Sequence, residues 1–131
     1  MPRQNISSGS PWEPVVGYSR AVRIGNIVRV AGTTATDEAG QVIGPGDSYT
    51  QARAIFEKIG RALGETGASF EDVIATRMYV TDITRWEDIA RAHSEVFHSI
   101  RPAATMVQVQ ALISPELLVE IEVEAVLDYE G

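Results

Sequence analysis

Cysteine is absent from the chain, so neither disulfides nor thiolate chemistry are open to it in any compartment. Histidine is nearly as scarce, with two in 131 residues. With no cysteine beside them a transition-metal site is not expected, although carboxylates alone could hold a hard cation weakly. No apolar run is long enough to span a bilayer, and the opening MPRQNISSGSPWEP is polar, without the apolar segment of a signal peptide. A cytoplasmic protein with no membrane partner is the expectation. Basic residues are outnumbered, 11 Lys and Arg against 18 Asp and Glu, for a net charge of −7. A nucleic-acid partner would need a basic stripe, and a single-strand binder would need aromatics interleaved with it. The arginines are scattered instead, so no nucleic acid is expected as a partner.

What is present is apolar material for a core. A 44% hydrophobic content over 131 residues implies one globular domain, residues 1–131, with residues 1–11 as a flexible arm punctuated by Ser7-Ser8-Gly9-Ser10-Pro11. Val15 to Thr34 reads as a hairpin, with strands at Tyr18–Arg23 and Ile27–Gly32 around a Gly25-Asn26 turn. Asp37 to Asp47 is a glycine-rich loop ending in a helix cap at Asp47 or Ser48. From Tyr49 to Glu65, Ala52, Ile55, Phe56, Ile59, Ala62 and Leu63 form one helical stripe, with Gly64 and Gly67 at its end. A third strand follows at Val73–Thr81. A second helix begins at Thr84, with Glu87 completing a capping box, and stops before Arg101-Pro102.

The stretch Arg101–Leu127 reads as two strands joined by a turn, Thr105–Val109 and a run in which Val119, Ile121 and Val123 alternate with Glu120, Glu122 and Glu124. The three acids form a solvated face, or one of them lines a cleft as a base or acceptor. Arg77, alone in its strand, is solvated, pairs with these carboxylates, or reaches an anionic ligand through its planar fork. His93 lies on the apolar stripe of the second helix and reads as a packed histidine rather than a catalyst, since no carboxylate beside it in sequence would orient it. The order β-β-α-β-α-β-β describes an α/β (α+β) domain, two helices covering one face of a single mixed sheet. Apolar residues occur at both strand parities (Ile27/Val28, Met78/Tyr79, Met106/Val107), so the other face calls for self-association.

Pro102-Ala103 with the strand after it, Leu118-Val119-Glu120-Ile121-Glu122, Gly17-Tyr18 and Ala31-Gly32 together resemble the Rid family, the YjgF/YER057c/UK114 proteins, across roughly residues 14–127. The resemblance implies a chorismate-mutase-like homotrimer with a small-molecule ligand cleft at each subunit interface. It also implies cofactor-free hydrolysis of imines and enamines, a deaminase reaction. Carried over by position, Glu120 is the catalytic glutamate, and Tyr18 and Gly32 line the cleft. The family's arginine after Pro-Ala is Ala104 here; Thr105 keeps the hydroxyl position, Met106 stands where many members have cysteine, and Ala90 where asparagine is frequent. Arg77 and Arg101 are the candidates to replace the arginine as substrate-binding residues. The family's older label of endoribonuclease finds no support in the charge. A hydrolase acting without the usual carboxylate anchor, a binding trimer without turnover, and an interaction protein remain as readings.

Overall fold

A helix stripe and alternating strands of this kind can be buried together only if helices lie flat on a sheet. The computed structural model, which describes residues 2–127, has that arrangement. Met1 of the expected arm and residues 128–131 of the expected domain lie outside the described residues. The chain runs β1 (Arg3–Ile6), α1 (Trp12–Val16), β2 (Ala21–Ile24), β3 (Ile27–Thr33), α2 (Ser48–Thr66), β4 (Val73–Val80), α3 (Trp86–Phe97), β5 (Ala103–Gln108) and β6 (Val119–Val126). The six strands form one sheet in the order β1-β2-β3-β6-β4-β5, antiparallel except for the parallel pair β4–β5. It is the mixed α+β sheet expected, with a sixth strand and a third, short helix.

Helix α2 buries Ile55, Phe56, Ile59 and Leu63 against Val28, Val30, Ile121 and Val123 of the sheet, and α3 adds Ile89 and Phe97. Burial of each such side chain is worth ~1.5–3 kcal/mol, which outweighs the modest propensities of these segments. Asp47 caps α2 by accepting the Thr50 N–H, and Gly67, at φ 89°, ends it. His93 packs edge-on to Phe56 and beside Phe97, with Nε2 2.9 Å from the Thr76 hydroxyl; burial holds its pKa below the ordinary value. Among the described residues no helix is long and apolar enough to cross a membrane.

Three sequence readings need correction. Arg3–Ile6 is a strand paired with β2 from Arg3↔Ile24 to Ile6↔Ala21, not a loose arm, because the edge of β2 offers its backbone a partner that sequence alone does not reveal. The start of α3 is preceded by a 3₁₀ turn, Ile83–Arg85, capped by Asp82, whose carboxylate accepts the Thr84 N–H and hydroxyl. Thr84 therefore lies inside the turn. Finally, β5 and β6 are not neighbours: β6 inserts between β3 and β4, while β5 pairs with β4 at the sheet edge. Residues 109–118 are thus a crossing loop rather than a hairpin turn.

The alternation in β6 sends Val119, Ile121, Val123 and Ala125 to the helices and Glu120, Glu122 and Glu124 to the opposite face. That face has an uncovered apolar row at its hairpin end, Ile24, Ile27 and Ile74, and charged pairs in register at its middle, Arg29↔Glu124 and Arg77↔Glu122.

Candidate functional site

The other end of this sheet face is concave, and the cause is a bulge. Between the pairs Val30↔Val123 and Thr33↔Ile121, β3 advances three residues while β6 advances two. The extra residue turns the backbone at Ala31-Gly32 away from the regular ladder. Gly32 then lies against Glu120: a Cβ built on it would come within 2.3 Å of Glu120 Oε2. A side chain at this position would displace the carboxylate. Gly32 is therefore both a bulge glycine and a wall of the cleft.

The cleft has a volume of about 390 Å³ and is lined by Gly32, Tyr79, Glu120, Glu122 and, from the loop after β5, Val109, Ala111 and Leu112. Glu120 is half-buried and accepts no hydrogen bond from the described residues. Burial drives its pKa above the ordinary carboxylate value; Arg20 pulls it back, and Glu122 adds to the rise. Tyr79, in register with Glu120 across β4–β6, donates its hydroxyl to Glu122 Oε1 at 2.5 Å, which raises the phenol pKa. The two acids thus differ: Glu122 is held by a phenol, and Glu120 is left available. Among the described residues no group of three or more His, Asp or Glu side chains is placed to hold a metal ion.

Behind the cleft lies Arg20, 8% exposed, just before β2. Its Nη1 donates to the Gly32 carbonyl at 2.8 Å, the Thr33 hydroxyl at 2.9 Å and, more weakly, the Ala31 carbonyl at 3.4 Å. Its Nη2 donates to the Tyr18 hydroxyl at 3.0 Å. Tyr18 itself follows Gly17, which ends α1 at φ 88°, a left-handed position that suits glycine. From the opposite side Lys58 of α2 donates to the Thr34 and Thr36 carbonyls. Burial first, then the charges of Arg20 and Arg61, push the Lys58 pKa down to about 8.

The sequence candidates separate accordingly. Glu120 and Gly32 meet in the cleft, and Tyr18 joins them through Arg20 rather than by lining it. Arg77 is exposed on the same sheet face, between Glu122 and Thr105 in register; among the described residues the ion pair on this face joins Arg29 to Glu124 at 2.8 Å. Met106 turns the other way and packs on the core. Arg101, in the turn four residues past the end of α3, is in the left-handed region at φ 55°, its Nε donating to the His98 carbonyl. About 20 Å of strand separates it from the cleft end of β5. Arg20 and Tyr79 escape the sequence reading, whereas Glu122 was among the three acids from which a cleft residue was expected. Glu122 shares the parity of Glu120 and was legible; Tyr79 needed the β4–β6 register, and Arg20 has no local signal.

The family model described as endoribonuclease L-PSP matches residues 9–127. An uncharacterised protein of Streptomyces coelicolor is 41% identical over 93% of this chain and 90% of its own. A protein of Acinetobacter baylyi named 3-aminoacrylate deaminase RutC is 33% identical over 92% of this chain and 95% of its own. The crystal structure of a YjgF/YER057c/UK114 family member from Mycobacterium tuberculosis superposes with a TM-score of 0.88 at 48% identity, covering 96% of this chain and all of that one. The chain belongs to the endoribonuclease L-PSP family, the Rid or YjgF/YER057c/UK114 proteins.

Proposed function

We propose that the chain is a cofactor-independent hydrolase of small imines or enamines, a deaminase, with Glu120 as its catalytic group. The observation that carries this is the state of Glu120: facing a cleft, free of hydrogen bonds from the described residues, and with its pKa raised by burial. A carboxyl with a raised pKa can work in both directions, as base and as acid. As carboxylate it takes a proton from water while the water oxygen bonds to the C=N carbon. As acid it gives a proton to an enamine carbon, forming the iminium that water attacks. The resulting carbinolamine breaks its C–N bond, so that imine and water become a carbonyl compound and ammonia. The relative named 3-aminoacrylate deaminase supports this chemistry, its named substrate being an enamine.

The substrate differs from that of an arginine-bearing member. Ala104 offers no cation, and among the described residues two acids but no lysine or arginine line the cleft. Charge complementarity favours a protonated imine, with its apolar part against Val109, Ala111 and Leu112. The same charge disfavours a phosphodiester. The assembly proposed is a homotrimer with this cleft at the subunit interface; the uncovered row Ile24, Ile27 and Ile74 supports self-association, and the trimer follows the family.

Ala104 also favours a second reading, a binding trimer without turnover. The test separates them. An amino-acid or amine oxidase generates imines in situ, and semicarbazide traps what is not hydrolysed. The native protein is expected to lower the trapped fraction, and Glu120→Gln to lose roughly 10²- to 10⁴-fold in rate with its fold intact. Absence of turnover together with imine-dependent thermal stabilisation would instead establish the binding reading.

A further inference from the structure

The β3 bulge that shapes the cleft has a cost: it takes the Ala31 and Gly32 carbonyls out of the regular ladder, and freed backbone acceptors need new donors. Arg20 and Thr33 supply them together. Arg20 Nη1 donates to the Gly32 carbonyl and to the Thr33 hydroxyl, that hydroxyl donates in turn to the Ala31 carbonyl at 2.8 Å, where Nη1 adds a weaker contact, and Nη2 reaches Tyr18. The guanidinium also lies 5.4 Å from the centre of the Tyr18 ring. Its own backbone is held just as firmly, the Arg20 N–H donating to the Ile6 carbonyl at 2.8 Å and its carbonyl accepting from Ala31 N–H at 2.9 Å. Yet no carboxylate forms an ion pair with it among the described residues. A nearly buried cation without a contacting anion acts through its field as well as its hydrogen bonds.

We propose that Arg20 is the positioning residue of this site: its fork stitches the Gly32 bulge to Tyr18 and sets a fixed positive charge behind the Glu120 carboxylate. Neither the family resemblance nor the loss of arginine at 104 assigns this role, which rests on the reading of Glu120 as the working group. The fork geometry is the reason arginine is required. One planar group must donate in two directions, toward the bulge and toward Tyr18, which a lysine ammonium on a single stem does less well. The charge has company that any pH measurement must include. Facing Glu120 are Glu122 on its own strand, Tyr79 from β4 and Arg20; Arg20 in turn feels Glu13 from α1 and Lys58 from α2.

Two variants test it in ¹³C-labelled protein. Arg20→Gln keeps an amide donor for the bulge but removes the charge, and the Glu120 carboxyl carbon is expected to titrate at higher pH than in the native protein. Arg20→Lys keeps the charge, so Glu120 is expected to titrate near its native position, while the Gly32 and Tyr18 resonances move. In the imine assay Arg20→Gln should lose on the order of 10²-fold in kcat/KM, with the acid limb of the pH profile displaced upward. Arg20→Lys should lose roughly 10-fold in kcat with its acid limb unmoved. Native-like titration of Glu120 in folded Arg20→Gln would overturn the proposal, as would unchanged Gly32 and Tyr18 resonances in Arg20→Lys. Should Arg20→Gln not fold, the lysine variant decides alone. Should the native protein hydrolyse no imine, the reading of Glu120 as a catalyst fails, while the resonances still decide the role of Arg20.

Discussion

At the scale of single residues, the site is held in a costly state. Glu120 has its folded pKa raised above the ordinary carboxylate value of 4.5, first by burial. Between that value and the raised one the folded chain binds the proton that the unfolded chain has released, so this group's contribution to stability falls as pH rises. Above the folded pKa the penalty is complete; below the unfolded pKa it vanishes. Glu120→Gln, a neutral isostere, is therefore expected to melt higher than the native protein at pH 7, with the difference disappearing near pH 4. Thermal unfolding at the two pH values checks this, and a variant less stable at pH 7 would contradict the assigned cost. Arg101 shows the other side of residue-scale reasoning. Its φ of 55° costs about 1–2 kcal/mol for a residue with a Cβ. That local strain lies in the turn that follows α3, with the side chain bonded to the His98 carbonyl, and does not by itself bring Arg101 to the cleft.

At the scale of elements, β1 links the N-terminal segment to the chemistry. Its pairing with β2 ends at Ile6↔Ala21, and the next bond in the ladder is Arg20 N–H to the Ile6 carbonyl. Asn5 also donates to the Ser19 hydroxyl, and the buried Glu13 carboxylate accepts from the Ser8 N–H and hydroxyl. Burial alone would raise the Glu13 pKa; hydrogen bonds from Ser8 and Ser7 and the charge of Arg20 outweigh it, so the group is held low. Removal of residues 1–6 is expected to leave a folded chain in which the Arg20 amide exchanges its hydrogen faster and the melting temperature falls. Hydrogen exchange resolved at Arg20 checks the link; undiminished protection there would show that β1 does not support the site. Helix α2 was legible in full from its stripe and caps, because helical burial is a local pattern. The N-terminal strand was not, since polar Arg3-Gln4-Asn5 has no apolar alternation and pairs only because β2 presents an edge.

At the scale of the whole molecule, the sheet face opposite the helices is divided. One end has the cleft, the middle has charged pairs, and the other end has Ile24, Ile27 and Ile74 in the open. Val107 of β5 is likewise exposed, in register with Tyr79. A face of this kind, with an unpaired edge at β5, suits a second and third copy of the chain. If the proposed homotrimer uses this face, replacing Ile27 and Val107 together by aspartate is expected to reduce the sedimentation mass from that of a trimer to that of a monomer. Retention of the trimer mass would place the interface elsewhere on the molecule.

Taken alone, the sequence determined the absence of disulfide and thiolate chemistry, the helix α2 with its caps, and the parity that puts Glu120 and Glu122 on one face of β6. These are properties of composition or of a short window, and they need no knowledge of neighbours. The tertiary structure decided which strands adjoin, and through them everything that makes Glu120 unusual. Insertion of β6 between β3 and β4 brings Gly32 to one side of Glu120 and Tyr79 to the other. The bulge that frees the Ala31 and Gly32 carbonyls exists only in that pairing, and Arg20 is drawn in to bond them across 11 and 12 residues of chain. Register and burial are relations between distant segments, so the group that holds the site together could not be read from its own surroundings in the sequence.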